Sequence, residues 1–532
     1  MKLKNLIVGL FISTITSTST LAAAIDIECS EKAVAAYTST ENTASTLQGL
    51  IDKAALLGES VVNLSPGQYI LSANEPVILK PGISLHAIGS GQNPTLFKGP
   101  QEVNETATIR VPAKNKAWSI KGIVFDNVNI EIESHANGDE SSILGNLFLN
   151  GGRGSIISYS GENLFIDGNV FLRDFEHRGI ELIPKNETTN AGVVFQTQKS
   201  SVISNNIFGM DLRHVNDVYP YVPQQVQAVL TSLQFVQQCL KRNLDDEQGY
   251  LASGVQLYFS KDITIKENII NGTLPESVNY GQDHAISIVG SNETYVYQNF
   301  FGGWQIGDFG GATRFTSAVD SYVVSNYMAD SGVMIYAAVH ADFMQISNMV
   351  VANNFFYKFL DDSFRAEEQL NGWLYEGVTF FDFYTARLNY TIRPPIWNSS
   401  VPISPWGWHI IVSNNKFGAV DGMDPNVISL GNLALEDALV DKSNCYVTDP
   451  LLPGSSKGGL VPVLWRQTYE PGVFTRYGGK VPKQFDVHTD KNLMSNVPAQ
   501  LRNLPIPNFW KAFTLGKNTV PMMDPYTPCV SS

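Results

Sequence analysis

Apolar and polar residues alternate in short runs along most of this chain, as in Asn163-Leu164-Phe165-Ile166-Asp167-Gly168 and Ser201-Val202-Ile203-Ser204-Asn205. Period-two alternation predicts strands with one buried face. Each run closes on a bend and then on an Asn followed by apolar residues. The copies are Asn146-Leu147-Phe148, Asn169-Val170-Phe171, Asn206-Ile207-Phe208, Asn299-Phe300-Phe301, Asn354-Phe355-Phe356 and Asn415-Lys416-Phe417, with weaker ones at Asn127, Asn268 and Asn326. From Asn268 through Asn299 and Asn326 to Asn354 the spacings are 31, 27 and 28 residues.

A repeat of this length is one supersecondary unit, here strand, tight bend, strand, that cannot bury its own inner face. Stacking the units in parallel supplies a core. Each Asn then lies over the next, where side-chain amides hydrogen-bond along the stack. The expectation is an all-β, single-stranded parallel β-helix in which the Asn residues are structural.

The segment ahead of the coils reads as an amphipathic helix, Thr46 to Leu57, ended by Gly58. Strand-like runs follow at Val61-Val62-Asn63-Leu64, Gly67-Gln68-Tyr69-Ile70, Val77-Ile78-Leu79 and Ile83-Ser84-Leu85, with Gly89-Ser90-Gly91 beyond. A helix across the open end of a coil protects unpaired backbone groups there. This opening resembles that of pectin-lyase-like right-handed β-helix proteins, and with the coils the resemblance covers roughly residues 45 to 420. It implies a right-handed coil and membership among mostly secreted polysaccharide lyases, hydrolases and epimerases. It specifies fold more than activity.

Lys2, Lys4, the apolar run Leu6 to Ile15 and Ala22-Ala23-Ala24 read as a secretory signal peptide cut after Ala24. The domain reading is residues 1–24 signal peptide, 25–440 parallel β-helix with its N-terminal cap, and 441–532 C-terminal cap and tail. Insertions fall at about 209–250 and 386–409. The first holds a helix over about Gln224 to Arg242 with Val226, Leu230, Leu233, Val236 and Leu240 on one face, expected to pack outside the coils. From about Val440 the Asn copies stop and Pro and Gly rise. Cys29, Cys239, Cys445 and Cys529 allow two disulfides in three connectivities in an oxidising compartment, Cys445 with Cys529 being the most attractive, or four free thiols.

Fifty acidic against 36 basic residues leave a net charge of −14, and no basic run stands out. That balance argues against a nucleic-acid partner. A polyanionic sugar would need a local cation or bound cations. No apolar run after the signal is long enough to span a bilayer, and a monomer is expected.

The repeat offers a ruler for chemistry. Twelve residues before Asn268, Asn299, Asn326 and Asn354 stand Gln256, Ser287, Arg314 and Asp342. Apolar neighbours turn Gln256 and Ser287 outward. Gly179-Ile180-Glu181-Leu182 matches the same pattern and adds Glu181. Asp283, His284 and His340 would rim the patch. The glycines 302, 303, 307, 310 and 311 would let substrate approach. As a lyase, Arg314 would stabilise a uronate and its developing enolate charge while His284 or His340 takes the proton. As a glycoside hydrolase, Asp342 and Asp283 would be acid and base, about 9.6 Å apart, an inverting geometry. Trp397, Trp406 and Trp408 form a candidate sugar-stacking wall, which would also serve a non-catalytic carbohydrate-binding or adhesive protein. No full catalytic signature of alginate epimerases or polygalacturonases is present. Calcium is a candidate cofactor, with Asp361, Asp362 and Glu367 as possible ligands. An enzyme stands ahead of a binder, and a lyase ahead of a hydrolase.

Overall fold

The computed structural model describes residues 41–510 apart from 173–190, 243–250, 272–283, 303–310, 337–346, 359–377, 382–407, 420–427, 432–437, 447–458, 467–485 and some shorter gaps, together with Ile25, Ile27, Cys29, Val34 and Tyr37. The signal-peptide segment, residues 1–24, lies outside the described residues. The chain winds into a right-handed parallel β-helix whose turns stack as three long sheets of fourteen, twelve and fourteen strands. One coil shows the plan. Phe300–Gly302 belongs to the first sheet, Gly311–Thr316 to the second and Val319–Val324 to the third, and Tyr327–Ala329 returns to the first. Pairing is parallel throughout the described strands except for Cys445–Tyr446 with Gly459–Leu460, which run antiparallel.

The bend from third to first sheet is the invariant part of the coil. From Leu144 to Ser413 it always holds two residues. The first takes the left-handed conformation, as Gly145, Gly168, Asn205, Glu267, Gln298, Ser325, Asn353 and Asn414, with φ between 53° and 66°. The second is the repeated Asn, fully buried at 0% exposure. Side-chain amides run unbroken through Asn146, Asn169, Asn206, Asn268, Asn299, Asn326, Asn354, Asn415 and Asn444, each Nδ2 donating to the next Oδ1 at 2.9–3.0 Å. The same Oδ1 also accepts the backbone N–H of the preceding Asn at 2.9–3.1 Å. The second Nδ2 hydrogen goes to a carbonyl of the previous coil, Ile265 in the case of Asn299 at 2.9 Å. A ladder amide therefore uses all its donors and acceptors, which is the condition for burying it.

Two expectations change here. Asn127 is not a rung; it has φ 55° and its Nδ2 donates to the Glu105 carbonyl at 2.6 Å. The ladder also does not stop at Val440. Asn444 accepts from Asn415, and second- and third-sheet strands continue to Val463–Arg466 and Asp486–Thr489. The bend there has three residues, 442–444, which hides the rung from a count.

Inside the coil, the residue two after each Asn stacks on its equivalent. Phe125, Phe148, Phe171 and Phe208 lie parallel with centroids 4.7–4.8 Å apart, which is the coil rise. The helix Ala44–Leu57 closes the first end. The Thr43 side chain caps its start, Gly58 in the left-handed conformation ends it, and Leu47, Ile51 and Ala54 face the core. The helix Gln224–Gln238 packs outside the first sheet as expected. It buries Val226, Leu230, Leu233 and Val236 against Leu147, Val170, Ile207 and Ile269.

Cys29 is bonded to Cys239 just past that helix, which pins the N-terminal segment to it. Cys445 is disulfide-bonded too, so free thiols are excluded at these three positions. Cys529 lies outside the described residues. The tail returns over the third sheet, where Leu493, Val497 and Leu501 bury against Val324, Val350, Ala352 and Ile411.

Two stability predictions follow from these contacts. Asn299→Ala orphans the backbone and side-chain donors of Asn268 and leaves Asn326 Oδ1 with only the backbone N–H of residue 299, and should cost about 3 kcal/mol or more in chemical denaturation. Asn444→Ala orphans the same two donors of Asn415 and should cost a similar amount; a negligible loss at either position would count against the ladder as a stabilising unit. The Cys29–Cys239 bond closes a separation of 210 residues, so Cys29→Ser should lose about 2–4 kcal/mol without changing the far-ultraviolet spectrum.

Candidate functional site

From Leu144 to Asn444 the third-to-first corner stays at two or three residues, and insertions enter at the other two. They leave between first and second sheets at 173–190, 209–252, 272–283, 303–310, 359–377 and 420–427, and between second and third at 337–346, 382–407, 432–437 and 467–485. The second sheet thus has variable chain at both of its ends. It is the natural floor for a site.

Along the outward face of that sheet the register is continuous. Arg110, Glu131, Ile157, Val194, Gln256, Ser287, Arg314, Met334, Thr379 and Ser429 are successive partners. Gln256, Ser287 and Arg314 stand on three adjacent coils, as the spacing predicts. Val255, Leu257, Ile286, Ile288 and Phe315 alternate with them into the core. The Arg314 Nη2 donates to Ser287 Oγ at 3.1 Å, laying the guanidinium back over the neighbouring coil.

Glu181 and Asp342 do not hold the positions expected for them. Val194 precedes Gln256 in the column and Met334 follows Arg314. Counting twelve back from Asn206 gives Val194, so the ruler holds there and the match to Gly179-Ile180-Glu181-Leu182 misleads. It fails at Asn354 because it assumes a two-residue second-to-third corner. Residues 259–260, 290–291 and 317–318 satisfy that assumption, whereas 337–346 are inserted at this corner. Glu181, Asp342, Asp283 and His340 themselves lie outside the described residues.

Burial also differs from expectation. Gln256 and Ser287 point away from the core yet are each 1% exposed, and Arg314 is half-buried. His284 opens its strand but is 0% exposed, so it is enclosed beside the patch and does not rim it in solvent. Ser253 Oγ donates to its carbonyl at 2.7 Å.

Of the expected aromatic wall only the backbone of Trp408 is described. Trp397 and Trp406 lie outside the described residues, and Trp408 opens the strand Trp408–Ser413 of the third sheet, paired with Ser347. The neighbouring outward column instead carries Tyr258, half-buried, then Val289, Thr316, Tyr336 and Phe381 by register. Tyr258 stands two residues after Gln256, so the alternation that turned Gln256 outward carried this signal.

Among the described residues no group of three or more His, Cys, Asp or Glu side chains is placed to hold a metal ion. Asp361, Asp362 and Glu367 lie outside them. No described helix is long and apolar enough to cross a membrane.

No family model and no curated protein matches this sequence. Among solved structures, the chain is similar to the Streptococcus pneumoniae surface protein and adhesin PfbA, with 12% identity over 81% of this chain and 99% of that one, TM-score 0.47. It is similar to a mannuronan C-5 epimerase A-module of Azotobacter vinelandii, with 14% identity over 80% and 94%, TM-score 0.41. A third is an alginate lyase in complex with a trisaccharide, with 11% identity over 76% and 79%, TM-score 0.40.

Proposed function

We propose that this is an exported carbohydrate-active enzyme that cleaves a uronic-acid-containing polysaccharide by β-elimination on the outward face of the second sheet. One observation carries the reading. Between Ile157 and Ser429 that column holds a single charged side chain, Arg314, in a chain of net charge −14. A lone guanidinium on a neutral polar floor is suited to a uronate carboxylate and to the negative charge that develops as the adjacent C–H bond breaks. Ser287 positions it, and Gln256, buried on the coil before Ser287, completes the polar floor beneath. Tyr258 offers a ring face for stacking.

The base is drawn from His340 and from His284, which opens a second-sheet strand. His284 is enclosed, so comparing His284→Ala with His340→Ala tells which one reaches substrate. The glycoside-hydrolase alternative has less support, because no carboxylate lies in the column beside Arg314. A non-catalytic carbohydrate-binding or adhesive protein is the second reading, favoured by the burial of Gln256 and Ser287. The Cys29–Cys239 bond supports an oxidising, exported location, in line with the proposed signal peptide.

Incubation with uronic and neutral polysaccharides, with and without calcium, separates these readings. Ultraviolet absorbance of unsaturated ends rising with reducing ends is the expected outcome. Arg314→Ala should lower turnover about 10²–10³-fold with unchanged melting temperature. Reducing ends without absorbance would mean hydrolysis. Retention of the glycan with no new ends would mean binding alone, and a fully active Arg314→Ala enzyme would remove this column from the site.

A further inference from the structure

The outward face of the third sheet carries a second patterned surface. One of its columns runs Thr264, Tyr295, Tyr322, Val350, Ile411. The returning tail buries Val350 and Ile411, and where the column changes from aliphatic to tyrosine, Tyr295 and Tyr322 pack half-buried against the edge of the same cluster. Tyr295 and Tyr322 are half-buried and parallel, with centroids 5.3 Å apart and planes inclined by 3°.

A polar column flanks the pair. Ser200, Asp262, Glu293, Asp320 and Asn348 occupy successive coils in the left-handed conformation, with φ from 44° to 55°. Ser200 donates to Asp262 at 2.9 Å, Lys261 pairs with Glu293 at 3.2 Å, and Asn348 donates to Asp320 at 2.7 Å. Asn348 also bonds the Tyr322 hydroxyl. On the other side the tail forms a wall, and Gln298 donates to the Pro505 carbonyl at 2.5 Å. The result is a shallow trough along the coil axis with a tyrosine floor, an acidic and amide side, and a tail side.

We propose that this trough binds a neutral β-linked polysaccharide as an accessory site, separate from the Arg314 face. Three physical features select that occupant. Each coil rises about 4.8 Å, close to the length one β-linked pyranose adds to its chain, so successive sugars meet equivalent groups on successive coils. Aromatic rings pack against the apolar faces of pyranoses, and carboxylate and amide oxygens accept from their hydroxyls. Asp262, Glu293 and Asp320 repel a polyanion, so the uronic substrate proposed for the second sheet is disfavoured here. Burial, followed by the neighbouring Tyr322 and acidic groups, pushes the Tyr295 hydroxyl up to about 12, which keeps it a hydrogen-bond donor throughout the neutral range.

Native gels cast with hydroxyethyl cellulose, glucomannan or polygalacturonate test the proposal on the full mature chain. The expected result is retardation in at least one neutral gel, weakened tenfold or more in apparent Kd by Tyr295→Ala/Tyr322→Ala and by Thr264→Arg. The Thr264→Arg variant blocks the open end of the stack without removing a core side chain. Asp262→Asn/Glu293→Gln, which removes the charge that repels a polyanion, should add retardation by polygalacturonate. Arg314→Ala should leave neutral binding intact, so failure of the catalytic reading and failure of this one are distinguishable. Equal mobility of wild type and Thr264→Arg in every neutral gel would overturn the proposal, as would self-association of the wild type through this face.

Discussion

From Leu144 to Asn444 each coil passes its third-to-first bend through a buried side-chain amide, and much of the molecule is arranged around that requirement. The residue before the amide sits in a left-handed conformation that side chains other than glycine adopt at a cost of roughly 1 kcal/mol, and Glu267, Gln298 and Ser325 accept it. The ladder offsets that strain. Each rung satisfies donors and acceptors on both sides of it, and hydrogen bonds in a chain polarise one another in a low-dielectric interior. Removing a rung would leave its neighbours with buried unpaired groups, which holds this corner to two or three residues along the ladder, whereas an earlier coil, with no rung, carries seven residues at 88–94.

Variation is therefore displaced to the other two corners. Insertions between first and second sheets and between second and third place chain at both ends of the second sheet, while the remaining sheets each keep one rigid edge. The outward column of the second sheet carries polar groups that are nevertheless buried, Gln256 and Ser287 at 1% exposure. Ser287 holds the guanidinium of Arg314 from the adjacent coil, so the distance between them is fixed by strand pairing and not by a loop. A site floor built this way is stiff, and its specificity is left to the inserted segments.

The coiled architecture was readable because its determinant is a repeated side chain with one conformation and one set of partners. The same reading took Asn127 for a rung because a left-handed Asn at a different bend has the same local sequence company. It missed Asn444 because one added residue shifts the count. The register of Gln256, Ser287 and Arg314 was legible since their corners are two residues long, and that of Asp342 was not, since it falls within residues 337–346 inserted at its own corner. Cysteine partners carried no spacing signal. Cys29 meets Cys239 only because the helix Gln224–Gln238 lies on the first sheet, a tertiary fact.

The outward faces of the three sheets differ in what covers them, and their sequences record it. Under the helix the first sheet presents Leu147, Val170, Ile207 and Ile269, uniformly apolar. Under the tail the third presents Val324, Val350, Ala352 and Ile411, with Tyr295, Tyr297 and Tyr322 half-buried beside them. The second passes from an Arg110–Glu131 ion pair at 3.4 Å, through Ile157 and Val194, to Gln256, Ser287 and Arg314. An apolar outward stretch is explained by its cover alone. A buried polar stretch is not, because desolvating Gln256 and Ser287 costs free energy that an aliphatic pair would not incur. Retaining polar groups under cover, beside one cation, is what separates this patch from the two faces that only pack.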